Sequence, residues 1–231
     1  MKKVLFSMLV ILIMAVGCGA TAPSAAPPTT GDAESTTDTD QAVTAPASEA
    51  ESQAQPDAEI ELSSEYTVVL HSIAEEDGNL RHTDMHPDLI VGDDVHDKAR
   101  QAFLSFDISG IPTFSTIKWA SLDLTGTKSG EPFAGLGLLN VYNDQYGDLG
   151  SEDFTGGPTE LDIRTFSLDC PPTGPSSTSP RMIAVLQKRL NAGEPRFQIR
   201  LQFEKQTDLD SEWDVWELTN PELVIVYKEG Q

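Results

Sequence analysis

Histidines and carboxylates crowd one stretch of this chain, and they are the residues with most to offer chemically. All four histidines fall between positions 71 and 96. On an extended segment His82, Asp84 and His86 share one face, because side chains alternate along a strand. Adding His96, Asp93 or Asp97 would give a nitrogen and oxygen set suited to a transition ion. Pro87, directly after His86, favours extension there. The plainer reading is a polar, solvated loop on an acidic domain. A second run, Asp208, Asp210, Glu212 and Asp214, also alternates. It is not an EF-hand, since Trp213 stands where that loop needs Gly and Thr219 where it needs the bidentate Glu. A shallower calcium site, drawn from this run (Asp208 and Asp210 first) or from Asp77, Asp93, Asp94 and Asp97, stands against a merely solvated acidic edge.

Trp119, Trp213 and Trp216 are the entire tryptophan set. Exposed aromatic faces stack on sugar rings and would form the platform of a carbohydrate binder. Trp119 belongs to a strand and is expected in the core. Trp213 and Trp216 lie in an acidic loop and are the candidate ligand-binding pair, with packing against the end of the domain as the alternative. Cys170 sits beside Asp169 in a Pro-rich loop, where nothing lowers its pKa. No nucleophile elbow, P-loop, dinucleotide fingerprint or zinc-protease helix occurs. Acidic pairs are too numerous to single out a glycosidase. No catalytic residue is assigned, and the protein is expected not to be an enzyme.

The ends of the chain set these residues in context. Across 231 residues, 37 acidic groups against 15 basic give a formal charge of −22. Nucleic acid is excluded as a partner, because phosphate contacts need clustered Lys and Arg. Two cysteines rule out a disulfide scaffold or a Cys-based zinc ribbon. Lys2 and Lys3 precede a thirteen-residue apolar run, Val4 to Val16, broken only by Ser7. That is too short to span a bilayer but fits the core of a secretory signal. It closes as Ala15-Val16-Gly17-Cys18, which resembles a bacterial lipobox, although Leu is commoner than Ala at the first position. The resemblance implies a signal peptide over 1–17 and acylation of Cys18, with a palmitate-type lipid anchor in the membrane; the alternative is an ordinary cleaved signal. Of the 44 residues from 19 to 62, 27 are Ala, Thr, Ser or Pro and nine are acidic. Such a segment cannot bury enough apolar surface to offset its conformational entropy, so 18–62 is expected to be a disordered linker spanning about 35–40 Å.

Residues 63–231 read as one antiparallel β domain. From Arg196 to Phe203, Phe197, Ile199, Leu201 and Phe203 alternate with polar residues, which predicts one core face and one wet face. Ala102, Leu104 and Phe106 repeat the pattern, as do Ala120, Leu122 and Leu124. Leu223 to Tyr227 is apolar on both faces, as a fully covered strand would be. Further strands are predicted at Tyr66–Ile73, Leu89–Gly92, Leu136–Tyr142 and Leu161–Leu168. Asp77-Gly78-Asn79, Gly92-Asp93-Asp94, Gly130-Glu131-Pro132 and Gly156-Gly157-Pro158 are the predicted turns. Arg181 to Leu190 is the one predicted helix, started by Pro180 and stopped at Asn191-Ala192-Gly193. Roughly eight strands point to an all-β, two-sheet β-sandwich, jelly-roll-like, with one short helix.

The segment Arg100-Gln101-Ala102-Phe103-Leu104-Ser105-Phe106-Asp107-Ile108-Ser109-Gly110-Ile111-Pro112, followed by Ile117 to Leu124, resembles the central signature of DNRLRE-type domains. These are secreted bacterial β-sandwich modules related to carbohydrate-binding modules. Leu89 to Asp93 and Pro221 to Tyr227 fit the flanks. The loop Arg81 to His86 and the long segment Gly135 to Leu149 depart from the pattern. The resemblance implies a sandwich that binds polysaccharide and often holds a structural calcium. Two functions follow as expectations. One is a surface-anchored lipoprotein presenting a module for polysaccharide or cell-wall glycan. The other is a structural or protein-interaction lipoprotein of the envelope. Coplanar exposed aromatics would mark the first, and a flat apolar patch without a groove the second. In both, the protein is extracytoplasmic and meets the membrane through its N-terminal lipid.

Overall fold

The structure, a computed structural model, describes residues 64–82, 84–154, 162–172 and 178–230. Cys18, the signal segment and the linker lie outside them. In chain order the elements are β1 (Glu65–His71), β2 (Gly78–Arg81), β3 (Asp84–His86), β4 (Ile90–Asp93), β5 (Ala99–Asp107), β6 (Thr116–Asp123), β7 (Gly126–Ser129) and α1 (Pro132–Gly135). They continue with β8 (Leu139–Asn143), β9 (Asp162–Phe166), α2 (Pro180–Asn191), β10 (Arg196–Phe203), β11 (Val215–Leu218) and β12 (Glu222–Lys228). All pairings are antiparallel. A small sheet has the order β1-β12-β6, and a large one runs β7-β11-β4-β5-β10-β8-β9, with the β2–β3 hairpin joined to β5. The fold is an all-β, two-sheet sandwich. No helix among the described residues is long and apolar enough to cross a membrane.

Alternation explains the core. Register pairs Phe197 with Phe106, Ile199 with Leu104 and Leu201 with Ala102, so the apolar halves of β5 and β10 share the inner face. From the small sheet, Ala120, Leu122, Leu223 and Ile225 complete the same buried cluster. The helix adds Met182, Leu186 and Leu190, spaced four apart on one face. It starts at Pro180 and ends before Gly193, whose φ of 71° suits a glycine. Along the free edge of β6, the Gln187 side chain accepts from the Ile117 N–H at 2.8 Å and donates to the Ser115 carbonyl at 2.9 Å.

Three expectations change. The second face of β10 is not wet: Gln198, Arg200 and Gln202 are buried. Segments 74–77 and 144–149 fold over it. Gln198 exchanges hydrogen bonds with the Gly147 backbone at 2.9 and 3.0 Å, and the Ser105 hydroxyl donates to Glu76 at 2.6 Å. Phe103 meets Tyr146 edge to face at 5.4 Å, and Arg200, 0% exposed, lies over the Tyr142 ring. The second face of β12 is only half covered, at Val224 and Val226. Finally, β2, β3, β7, β11 and α1 are additions, each of three or four residues. Two of them begin within segments read as turns, at Gly78 and Pro132.

Phe106 is 0% exposed on the shared inner face. Truncation of a buried Phe costs about 3–5 kcal/mol, a large part of a domain's total of about 5–15 kcal/mol. Phe106→Ala should therefore give insoluble or molten protein by near-UV circular dichroism. Near-native melting would refute the register.

Candidate metal site and polar cleft

The end of β4 brings the backbone unusually close to its neighbour. Gly92 has a φ of 141° and pairs with Val215, and a Cβ there would overlap the Asp214 carbonyl. The next residue, Asp93, donates its N–H to that same carbonyl at 3.0 Å. This close approach delivers the Asp93 carboxylate to those of Asp208 and Asp214. Their donor oxygens all lie within 4.8 Å of one another. Burial pushes the Asp93 carboxyl up to about 6, with Asp208 and Asp214 adding repulsion. Burial also raises that of Asp208, followed by the charges of Asp210 and Asp214. Asp214 is held in turn by the Glu131 N–H, which donates to its Oδ1.

The other predicted carboxylates are elsewhere. Asp94 lies 2.5 Å from the Arg81 guanidinium and 3.8 Å from that of Arg100. Its Oδ1 also accepts from the backbone of His96 and Lys98. Asp97 accepts from the Ser211 N–H at 2.9 Å and so ties the turn after β4 to the 204–214 loop. Asp210 caps its own loop at the Glu212 N–H. Asp77 lies on the outer face of the large sheet, where it accepts from the Ser105 N–H at 2.8 Å.

The histidine set is not assembled. His82 occupies a turn with φ 57° and leans on Phe154, so it leaves the extended register of Asp84 and His86. His96 sits exposed in the turn after β4. No histidine belongs to a candidate metal group among the described residues. His86 instead lines a cavity of about 330 Å³ with Glu76, Asp77 and Asp148. A second cavity, about 260 Å³, shares Ala74, Asp77 and Pro87 with the first.

Of the two readings of Trp213 and Trp216, the structure follows packing rather than an exposed platform, and Trp119 departs from the core. Trp216, in β11, is 4% exposed, packs on Phe133 and donates to the Leu124 carbonyl at 3.0 Å. Trp213 is half-buried beneath the Arg100 guanidinium. Trp119 is half-buried on the outer face of the small sheet rather than in the core. Cys170 is half-buried in the turn after β9, where its backbone exchanges hydrogen bonds with that of Ser167 at 3.1 Å.

The sequence sets Asp93 in one acidic cluster and Asp208 and Asp214 in another, and puts Asp210 rather than Asp214 forward beside Asp208. The signal for Asp214 is its position as the last acid of its run, directly before the strand Val215–Leu218. No protein-family model and no curated protein matches this chain.

Burial pushes the Asp77 carboxyl up to about 6; hydrogen bonds from Ser72 and Ser105 oppose the shift, and Glu76 and Glu75 reinforce it. A carboxyl that binds its proton more tightly when folded contributes stability below its unfolded value, lost as pH rises through about 6. Asp77→Asn keeps the acceptor oxygen for Ser105. It should reduce the fall in melting temperature across that window, measured from pH 3.8 upward. An unchanged slope would show that Asp77 titrates normally.

Proposed function

We propose that this is a non-catalytic lipoprotein of the bacterial envelope whose sandwich contacts another envelope protein. The outer face of the small sheet carries the reading. Register places Thr67, Val226 and Trp119 in one row across the three strands, and Val69, Val224 and Ser121 in the next. Val69 is 48% exposed. Neither cavity is lined by these residues. Beyond them a charged row begins, His71, Glu222 and Asp123, with His71 and Glu222 3.3 Å apart. Val69, Val224, Val226 and Trp119 form an apolar strip with the exposed Thr67 beside it, Ser121 fully buried and charge at one end, and such a strip is the form of a protein contact.

Polysaccharide or cell-wall glycan is the second reading, and the paired cavities favour it. Their carboxylates and His86 would hydrogen-bond to sugar hydroxyls, although no tryptophan lines either one. A photo-crosslinker at position 69 in intact cells should give discrete protein adducts that Val226→Lys removes. Glycan-array binding that is lost in His86→Ala, with no protein adducts, would establish the second reading instead.

Cys18 supplies the anchor in both readings. Acylation on several chains holds a protein stably, where a single chain is marginal. Cys18→Ser should accumulate as unprocessed precursor on immunoblots of membrane fractions. A normally processed, soluble product would show ordinary signal cleavage.

A further inference from the structure

We propose that Asp93, Asp208 and Asp214 bind one calcium ion, which ties the end of β4, the 204–214 loop and the turn before α1 together. Oxygens that ligate one calcium at about 2.3–2.6 Å can stand no more than about 5 Å apart, and these lie within 4.8 Å. Asp93 supplies an independent pointer. It is 1% exposed, and neither of its oxygens has a hydrogen bond of normal geometry, although Thr207 and the Asp208 N–H come close. The buried Asp208 Oδ1 is likewise unmatched. A buried carboxylate without full partners needs a counter-charge. The nearby arginines do not supply it, because Arg81 and Arg100 turn to Asp94. Among the described residues, none of the three aspartates forms an ion pair with Lys or Arg.

Two glycines keep the space around these oxygens open. A Cβ at Gly130 would overlap Asp214 Oδ1, and one at Gly135 would overlap Asp208 Oδ2. The donor set contains no nitrogen or sulfur, which favours a hard cation. Carboxylates drawn from two loops and a strand end suit the irregular coordination that calcium accepts. Magnesium demands a near-octahedral set at about 2.0–2.1 Å and keeps more of its water.

The full-length purified protein, stripped with chelator, tests the site by calorimetric titration and thermal melting. One calcium should bind per chain. At a hundredfold above Kd it should raise the melting temperature by about 5–10 °C over an ionic-strength control, and by more than equal magnesium. Asp93→Asn and Asp208→Asn should lose the shift, while Asp84→Asn on the exposed β3 keeps it. If Asp93→Asn does not fold, Asp208→Asn in the half-exposed loop still decides. Terbium provides a second readout, with emission sensitised by Trp213 or Trp216, displaced by calcium and absent in Asp208→Asn. Three results would each overturn the site: no ion-specific shift, a calcium shift that survives Asp208→Asn, or a larger zinc shift abolished by His86→Ala.

Discussion

The pairing of β5 with β10 is the constraint on which the rest of the structure depends. Both strands are buried on both faces along nearly their whole length. Inward they present Phe, Leu and Ile, and this face demands the small sheet and α2 as a cover. Outward they present Ser105, Gln198 and Arg200, which cannot be left dry and unmatched. The polar half therefore dictates the loops, because Glu76, Asp77 and the Gly147 backbone are the groups that satisfy it. The two cavities are the spaces left between those loops and β3. They exist because a polar sheet face was roofed with short segments rather than with a helix.

Strands with a long apolar period were legible in the sequence because alternation is a local property. Arg196–Phe203 and Leu223–Tyr227 needed no neighbour to be recognised, and the Pro180 and Gly193 signals bounded α2 to within a residue or two. What alternation does not reveal is how wet the polar half will be. Gln198 and Arg200 have the types of an exposed face and become buried only through loops some fifty and a hundred and twenty residues away in sequence. The short strands were hidden for a related reason. The strands that begin at Gly78 and Val215 carry four residues each into a sheet whose partners fix their conformation, so a turn signal at the first and an acidic setting at the second masked the strand pattern.

The carboxylate site was legible in parts but not as a whole. Asp93 and Asp208 stood out as members of acidic runs, yet runs misled about company. Neighbouring side chains where β4 ends point apart, so Asp93 turns to the loop and Asp94, just past the strand, to the arginines. Asp214 joins only because Gly92 lets two backbones touch. The tryptophans stayed open between two readings for the opposite reason. An acidic setting suggested exposure, but Trp216 falls on the inward side of a strand too short to announce itself.

The hydrogen bonds of Gln187 reach beyond the stability of α2. A strand at the margin of a sheet, with free N–H and C=O groups, is a template on which another molecule's strand can grow. At the start of β6 one amide occupies that template, donor and acceptor at once, at Ile117 and the preceding Ser115. The helix thus acts as a stopper against polymerisation as well as a lid on the core. At high protein concentration, loss of that one side chain would show as fibrous or amorphous deposits.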